Sequence, residues 1–267
     1  MTSEPLILAV ETSSRVGSVA LAAGQRLLAE QSFTAPLRHS AEIFPAVGSL
    51  LDRFGHTPDN ITAVYISIGP GSFTGLRIAV TMAKAMHLAH NVKIVTVDSL
   101  DAIAANTEDA ATRDLIQNAR SATHTDRIAA VLDAKRGQFY TAVYERTTAA
   151  EPPSAPQATQ APGYAIPAPE GHIWHKILPD CLMTAEEIIA RFTGERPLGL
   201  LGDGLLYHEQ TFRRAGAVIL DPACWSPRAS RIHALGHQKA RAGRFADPLS
   251  LAPFYLRGPQ VTLKKNA

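Results

Sequence analysis

Two stretches of the chain carry residue types that could do chemistry. In "ETSSRVGSVAL" (11–21), Glu11, Thr12, Ser13 and Ser14 fall where one apolar run ends and the next begins. An acidic residue at a strand end, followed by small hydroxyl residues, can hold phosphate and Mg²⁺. Asp is usual there, and Glu11 is one methylene longer. A hydrogen-bonded β-turn would use the same residues with no ligand. The second stretch, Gly69-Pro70-Gly71-Ser72-Phe73-Thr74-Gly75, runs from an apolar strand into a long helix. A P-loop needs GxxxxGK[ST], because its Lys reaches the phosphates and its hydroxyl binds Mg²⁺. Gly75 is followed here by Leu76 and Arg77, so both groups are missing, and the spacing is not GxGxxG. What remains is a helix N-terminus able to hold an anion but not diagnostic of one, or glycines that serve a tight turn.

Other constellations are weaker. His233 and His237 are four apart, as in a two-histidine metal pair. Arg228, Arg231, Lys239 and Arg241 surround them and would repel a cation, so they read as exposed helix histidines. No metal set and no catalytic residue is assigned. There is no GxSxG elbow for a serine hydrolase. Cys181 and Cys224 lie in no metal spacing, which suits packed thiols in a reducing cytosol.

The elements that must position these residues follow from periodicity. "LILAVETS" (6–13) is nearly all apolar, as a strand buried on both faces should be. Strands at 17–24 and 27–34 follow, joined by a short turn. In 40–54, Ile43, Phe44, Val47, Leu50, Leu51 and Phe54 make one apolar stripe, with Ser40 as N-cap and Gly55 as C-cap. A strand at 63–69, the long helix, a strand at 93–99 and a short helix complete a first unit. The long helix has one narrow polar stripe, Arg77, Thr81, Lys84, His87 and Asn91, and is otherwise apolar. It should therefore be covered on two sides, by its own sheet and by the helix at 40–54 or a second protein.

A hairpin at 126–145 opens a second unit. The Ala/Pro-rich run from 146 reads as an exposed insertion. A capped helix at 184–194, strands at 197–204 and 217–220 and a last helix at 226–243 follow. The architecture expected is α/β with two related subdomains. Composition agrees with a globular protein: 46% hydrophobic and 19% charged residues among 267, with 26 basic against 24 acidic side chains for a net charge of +2. That charge argues against a stand-alone nucleic-acid binder. The N-terminal run lacks a basic start and is broken by Glu11 and Arg15, so neither a signal peptide nor a membrane span is expected, and a cytoplasmic location is.

Five segments together resemble the TsaB (YeaZ) family, the partner subunits in bacterial synthesis of N6-threonylcarbamoyladenosine in tRNA. They are "ILAVETSSRVGSVAL" (7–21), "GPGSFTGLRIAVTMAKAM" (69–86), "VDSLDAIA" (97–104), "LDAKRGQFYTAVY" (132–144) and "PFYLR" (253–257). The resemblance implies an actin/Hsp70/sugar-kinase-like (ribonuclease H-like) fold with subdomains at 1–106 and 107–221, the latter holding the insertion 146–178. Residues 222–267 would form a C-terminal helix and tail packed back on the core. It also implies a scaffold with no cofactor that pairs with the threonylcarbamoyltransferase TsaD, or with itself. An ATPase, TsaE, would join the assembly, and tRNA would be met only indirectly. Interface candidates on the helices 40–54 and 74–90 are Ile43, Val47, Leu50, Val80, Ala83 and Met86. The motif loop Gly69–Gly75 with Arg77 is a candidate anion contact, and Glu11, Thr12 and Ser13 a vestigial nucleotide site. Glu11, Lys135 and Gln138 stand where the family usually has Asp, Arg and Glu. The alternative function is an active ATP-dependent phosphotransferase or ATPase of the same fold.

Overall fold

The computed structural model describes residues 4–33, 39–108, 126–147, 165–168, 171–194 and 197–257. Strands β1 (Leu6–Glu11), β2 (Gly17–Ala23), β3 (Arg26–Phe33), β4 (Ile61–Gly69) and β5 (Lys93–Asp98) form a first sheet ordered β3-β2-β1-β4-β5. The β1–β2 and β2–β3 pairs are antiparallel, while β1–β4 and β4–β5 are parallel. Every residue of β1 is buried, as its central position requires. Alternation divides it: Leu6, Leu8 and Val10 enter one core, Ile7 and Ala9 the other.

The first of these cores lies under two helices, α1 (His39–Arg53) and α2 (Phe73–His90). α1 begins at His39, one residue before the expected cap, so Ser40 lies within its first turn. Its C-terminus is closed as expected at Gly55 (φ 68°), with the His56 N–H donating to the Leu51 carbonyl at 2.9 Å and the Gly55 N–H to Asp52 at 3.2 Å. α2 ends at Asn91, left-handed at φ 52°.

On the opposite face of the sheet lie the short helix α3 (Ser99–Ala104) and a later helix, α6 (Ala229–Arg241). Beyond them stands a second sheet built from β6 (Arg127–Asp133), β7 (Gln138–Thr147), β8 (Ile166–Pro167), β9 (Ile173–Thr184), β10 (Leu198–Leu201) and β11 (Val218–Ile219), ordered β11-β10-β6-β7-β9-β8. α4 (Ala185–Phe192), capped by Thr184 and Glu187 in a capping box as expected, and α5 (Glu209–Arg214) complete it. Two mixed sheets with helices between and outside them form the actin/Hsp70/sugar-kinase-like arrangement.

The insertion expected over 146–178 needs correction. Residues 148–164 and 169–170 lie outside the described ones, but most of the rest of that range is sheet. β7 runs to Thr147, β8 is at 166–167, and β9 begins at Ile173 and pairs with β7 for most of its length. The histidine pair also differs from expectation. His233 is buried (3% exposed) against Tyr65, with Nε2 2.9 Å from the Gly24 carbonyl oxygen, and only His237 is partly open. Burial lowers the pKa of both, and His233 packs into the core beneath β4.

Candidate functional sites: a closed loop and an outward helix face

The two stretches with chemical potential meet each other. Gly69–Pro70 is cis, and the loop turns back over the end of β1. The Ser72 N–H donates to the Ser13 carbonyl at 2.7 Å, and Thr12 Oγ1 donates to the Gly75 carbonyl at 2.8 Å. A Cβ on Gly71 would stand 2.3 Å from the Ser13 carbonyl oxygen, and one on Gly75 1.8 Å from that of Thr12. Both glycines are therefore required by backbone contact within the chain. At the helix start, Ser72 caps α2 by accepting the Gly75 N–H at 3.3 Å. The amides that a phosphate-binding loop would offer at Ser72 and Gly75 already have partners.

The other loop residues hold the C-terminal segment. The Tyr255 ring stacks on Phe73 with centroids 4.4 Å apart. The Arg77 guanidinium lies 3.9 Å over Phe73, and its Nε donates to the Tyr255 hydroxyl at 3.1 Å. The Phe254 N–H donates to the Ile68 carbonyl at 2.8 Å. Arg257 then donates to the Ala134 carbonyl and to Gln138 of the second sheet. "PFYLR" thus spans from the glycine loop to the 134–138 turn, where Lys135 and Arg136 both have positive φ, 64° and 59°.

Glu11 is completely buried and accepts the Ser13 N–H through Oε1. Burial pushes its carboxyl up to about 7, a rise that the neighbouring Ser13 and Ser67 reduce and the Asp203 carboxylate adds to. Asp203, from the turn after β10, accepts the Arg15 N–H at 3.4 Å, and its own pKa is raised by burial. Glu11, Thr12 and Ser13 are thus together, with Glu11 Oε1, Thr12 Oγ1 and the Ser13 backbone in the chain's own hydrogen bonds, while Glu11 Oε2 and Ser13 Oγ are buried with no hydrogen-bond partner among the described residues. Among the described residues no group of three His, Cys, Asp or Glu could hold a metal ion, and no helix is long and apolar enough to cross a membrane.

The helix pair gives a different picture. Of the six interface candidates, Ile43, Leu50, Val80 and Ala83 are buried in the chain's own core. They cannot also face a partner, so for these four the expectation is corrected. Val47 and Met86 are partly open. The outward surface instead carries Phe44 (62% exposed) and Leu88 (84%), with Gly48 and Ile78 partly open and Thr81, Ala85 and Ala89 exposed. A 100° turn per residue cannot point Ile43 and Phe44 the same way. The spacing of Thr81, Ala85 and Leu88 (i, i+4, i+7) was the sequence signal for the outward face.

A family model described as "TsaD: tRNA N6-adenosine threonylcarbamoyltransferase" matches residues 34–178. By sequence the chain is similar to the tRNA threonylcarbamoyladenosine biosynthesis protein TsaB of Bacillus subtilis (strain 168), at 28% identity over 97% of this chain and 96% of that protein. It is similar also to the protein of the same description from Escherichia coli (strain K12), at 26% identity over 97% of each. Among solved structures, YeaZ from Pseudomonas aeruginosa superposes with a TM-score of 0.67 at 22% identity, over 94% of this chain and 100% of that one.

Proposed function

This chain belongs to the TsaB (YeaZ) family of tRNA threonylcarbamoyladenosine biosynthesis, and within that pathway we propose that it is a non-catalytic scaffold for a TsaD-type enzyme. The observation that carries the proposal is the outward face of α1 and α2. A monomer gains nothing by exposing Phe44 and Leu88 this fully. Burying two such side chains against a partner would be worth about 1.5–3 kcal/mol each. Gly48 of α1 and Thr81, Ala85 and Ala89 of α2, all small and at least partly open, would let partner helices approach closely. Helices of the enzyme would complete a bundle on this face, and in its absence a second copy of the chain would use the same face. A TsaE-type ATPase would join the assembly, the work would be done in the cytoplasm, and tRNA would be met through the enzyme.

An ATP-dependent phosphotransferase of the same fold is the rival reading. The closed contact between 12–13 and 71–75 speaks against it, because the Ser72 and Gly75 amides and one oxygen of Glu11 already have partners inside the chain. Ala85→Arg tests the scaffold reading, since it puts a long charged side chain on the outward face without touching the core. Complex formation with the TsaD-type enzyme should fall at least ten-fold while the melting temperature stays unchanged. Undiminished binding would remove α2 from the interface.

A further inference from the structure

Buried charge is costly unless it is paired, and the densest set of it lies between the two sheets, away from both surfaces discussed above. Lys176 of β9 directs its ammonium at three carboxylates: Asp101 of α3 at 2.6 Å, Asp180 of β9 at 2.7 Å and Asp98 at the end of β5 at 3.6 Å. In a regular strand, residues four apart are about 13 Å apart. Irregularities in the β7–β9 register, opposite Thr141–Tyr144, fold β9 so that Lys176 and Asp180 meet. The Tyr144 hydroxyl of β7 donates to Asp101 Oδ1 at 2.7 Å. Lys239 of α6 donates to the Thr96 carbonyl at 2.6 Å, and its charge also acts on Asp98 and Asp101. Next along β9 is Cys181, whose thiol is pushed up by burial and by Asp180. Elements of both sheets therefore converge on one ammonium.

Asp98, Asp101 and Asp180 thus crowd around Lys176, with Lys239 and, acting on it, Arg244 as further cations. The Asp180 side chain is only 6% exposed, and its Oδ2 is buried with no hydrogen-bond partner among the described residues. We propose that the cluster is a proton-dependent clasp between the sheets, closed while Asp180 holds a proton. When that proton leaves, a further buried negative charge beside Asp101 and Asp98 loosens the hold of β9 on α3 and β5. Burial, with the charges of Asp101 and Asp98 added and Lys176 opposing, pushes Asp180 up to about 7. Its pKa is raised in the closed state, so the clasp weakens as pH climbs from the ordinary carboxylate range toward 7 and changes no further above it. One linked proton shifts an opening equilibrium by up to about ten-fold per pH unit.

The test is amide hydrogen exchange of the full chain between pH 5 and 8, read at 98–104 and 174–183 as protection corrected for the intrinsic rate. A Glu11→Gln background removes the other carboxyl that titrates near 7. Protection should fall by up to about ten-fold per pH unit up to pH 7 and then level off. Asp180→Asn, which imitates the protonated side chain, should make it independent of pH over that range. Asp98→Asn, which removes a repelling carboxylate on another element, should do the same. If either folded variant keeps the parent's pH response at those amides, the clasp is refuted.

Discussion

Glu11 and the two glycines facing its turn show how residue identity was set by contacts distant in sequence. A Gly75→Ala substitution drives a methyl against the Thr12 carbonyl oxygen, and the overpacking should cost about 1–3 kcal/mol, seen as a lower urea midpoint in equilibrium unfolding. The Glu11 carboxyl is raised from 4.5 to about 7 by burial, so the folded protein binds its proton more tightly than the unfolded chain does. Stability from this group is present below pH 4.5 and is lost as pH rises to about 7. Relative to wild type, Glu11→Gln should therefore become progressively more stable over that interval, in melting curves recorded side by side. The residues of this site were legible in the sequence. Their closure on each other was not, because Thr12 and Gly75 are 63 positions apart and only the fold brings them to 2.8 Å.

The helices and strands were legible to differing degrees, for reasons of periodicity. β1, α2 and the capping box of α4 follow from runs and spacings long enough to be unambiguous. In α1 and α2 the sequence identified the helices but did not show which way they are rotated. Helices that are apolar around most of their circumference leave the core-facing side undetermined. Ala83 is fully buried, and Ala83→Arg should cost about 3–5 kcal/mol through an unpaired buried charge. Ala85 is two residues on and exposed, so Ala85→Arg should leave the unfolding free energy within about 0.5 kcal/mol of wild type. Denaturant titration of the two variants checks the rotation of α2 directly. β9 escaped the sequence reading because Lys176, Pro179 and Asp180 interrupt its apolar alternation. The charged residues that hide the strand are those that meet in the buried cluster.

Across the whole molecule, α1 and α2 cover one side of the first sheet, and α3 and α6 separate it from the second. The fold class was legible from the strand–strand–strand–helix–strand order together with the motif segments. The tie made by 253–257 between the glycine loop and the second sheet was not, since nothing local in "PFYLR" points to Ile68 or Ala134. With the turn and the glycine loop closed on each other, isothermal titration with Mg-ATP should give no binding heat and no turnover for the isolated chain. The central claim is that the outward face of α1 and α2 receives a TsaD-type partner. Light scattering on an equimolar mixture with that enzyme tests it most directly. Wild type should form a heavier species containing both chains, and Ala85→Arg with Leu88→Asp should leave two separate components while retaining the native melting temperature. A doubly substituted chain that assembles as well as wild type would contradict the account.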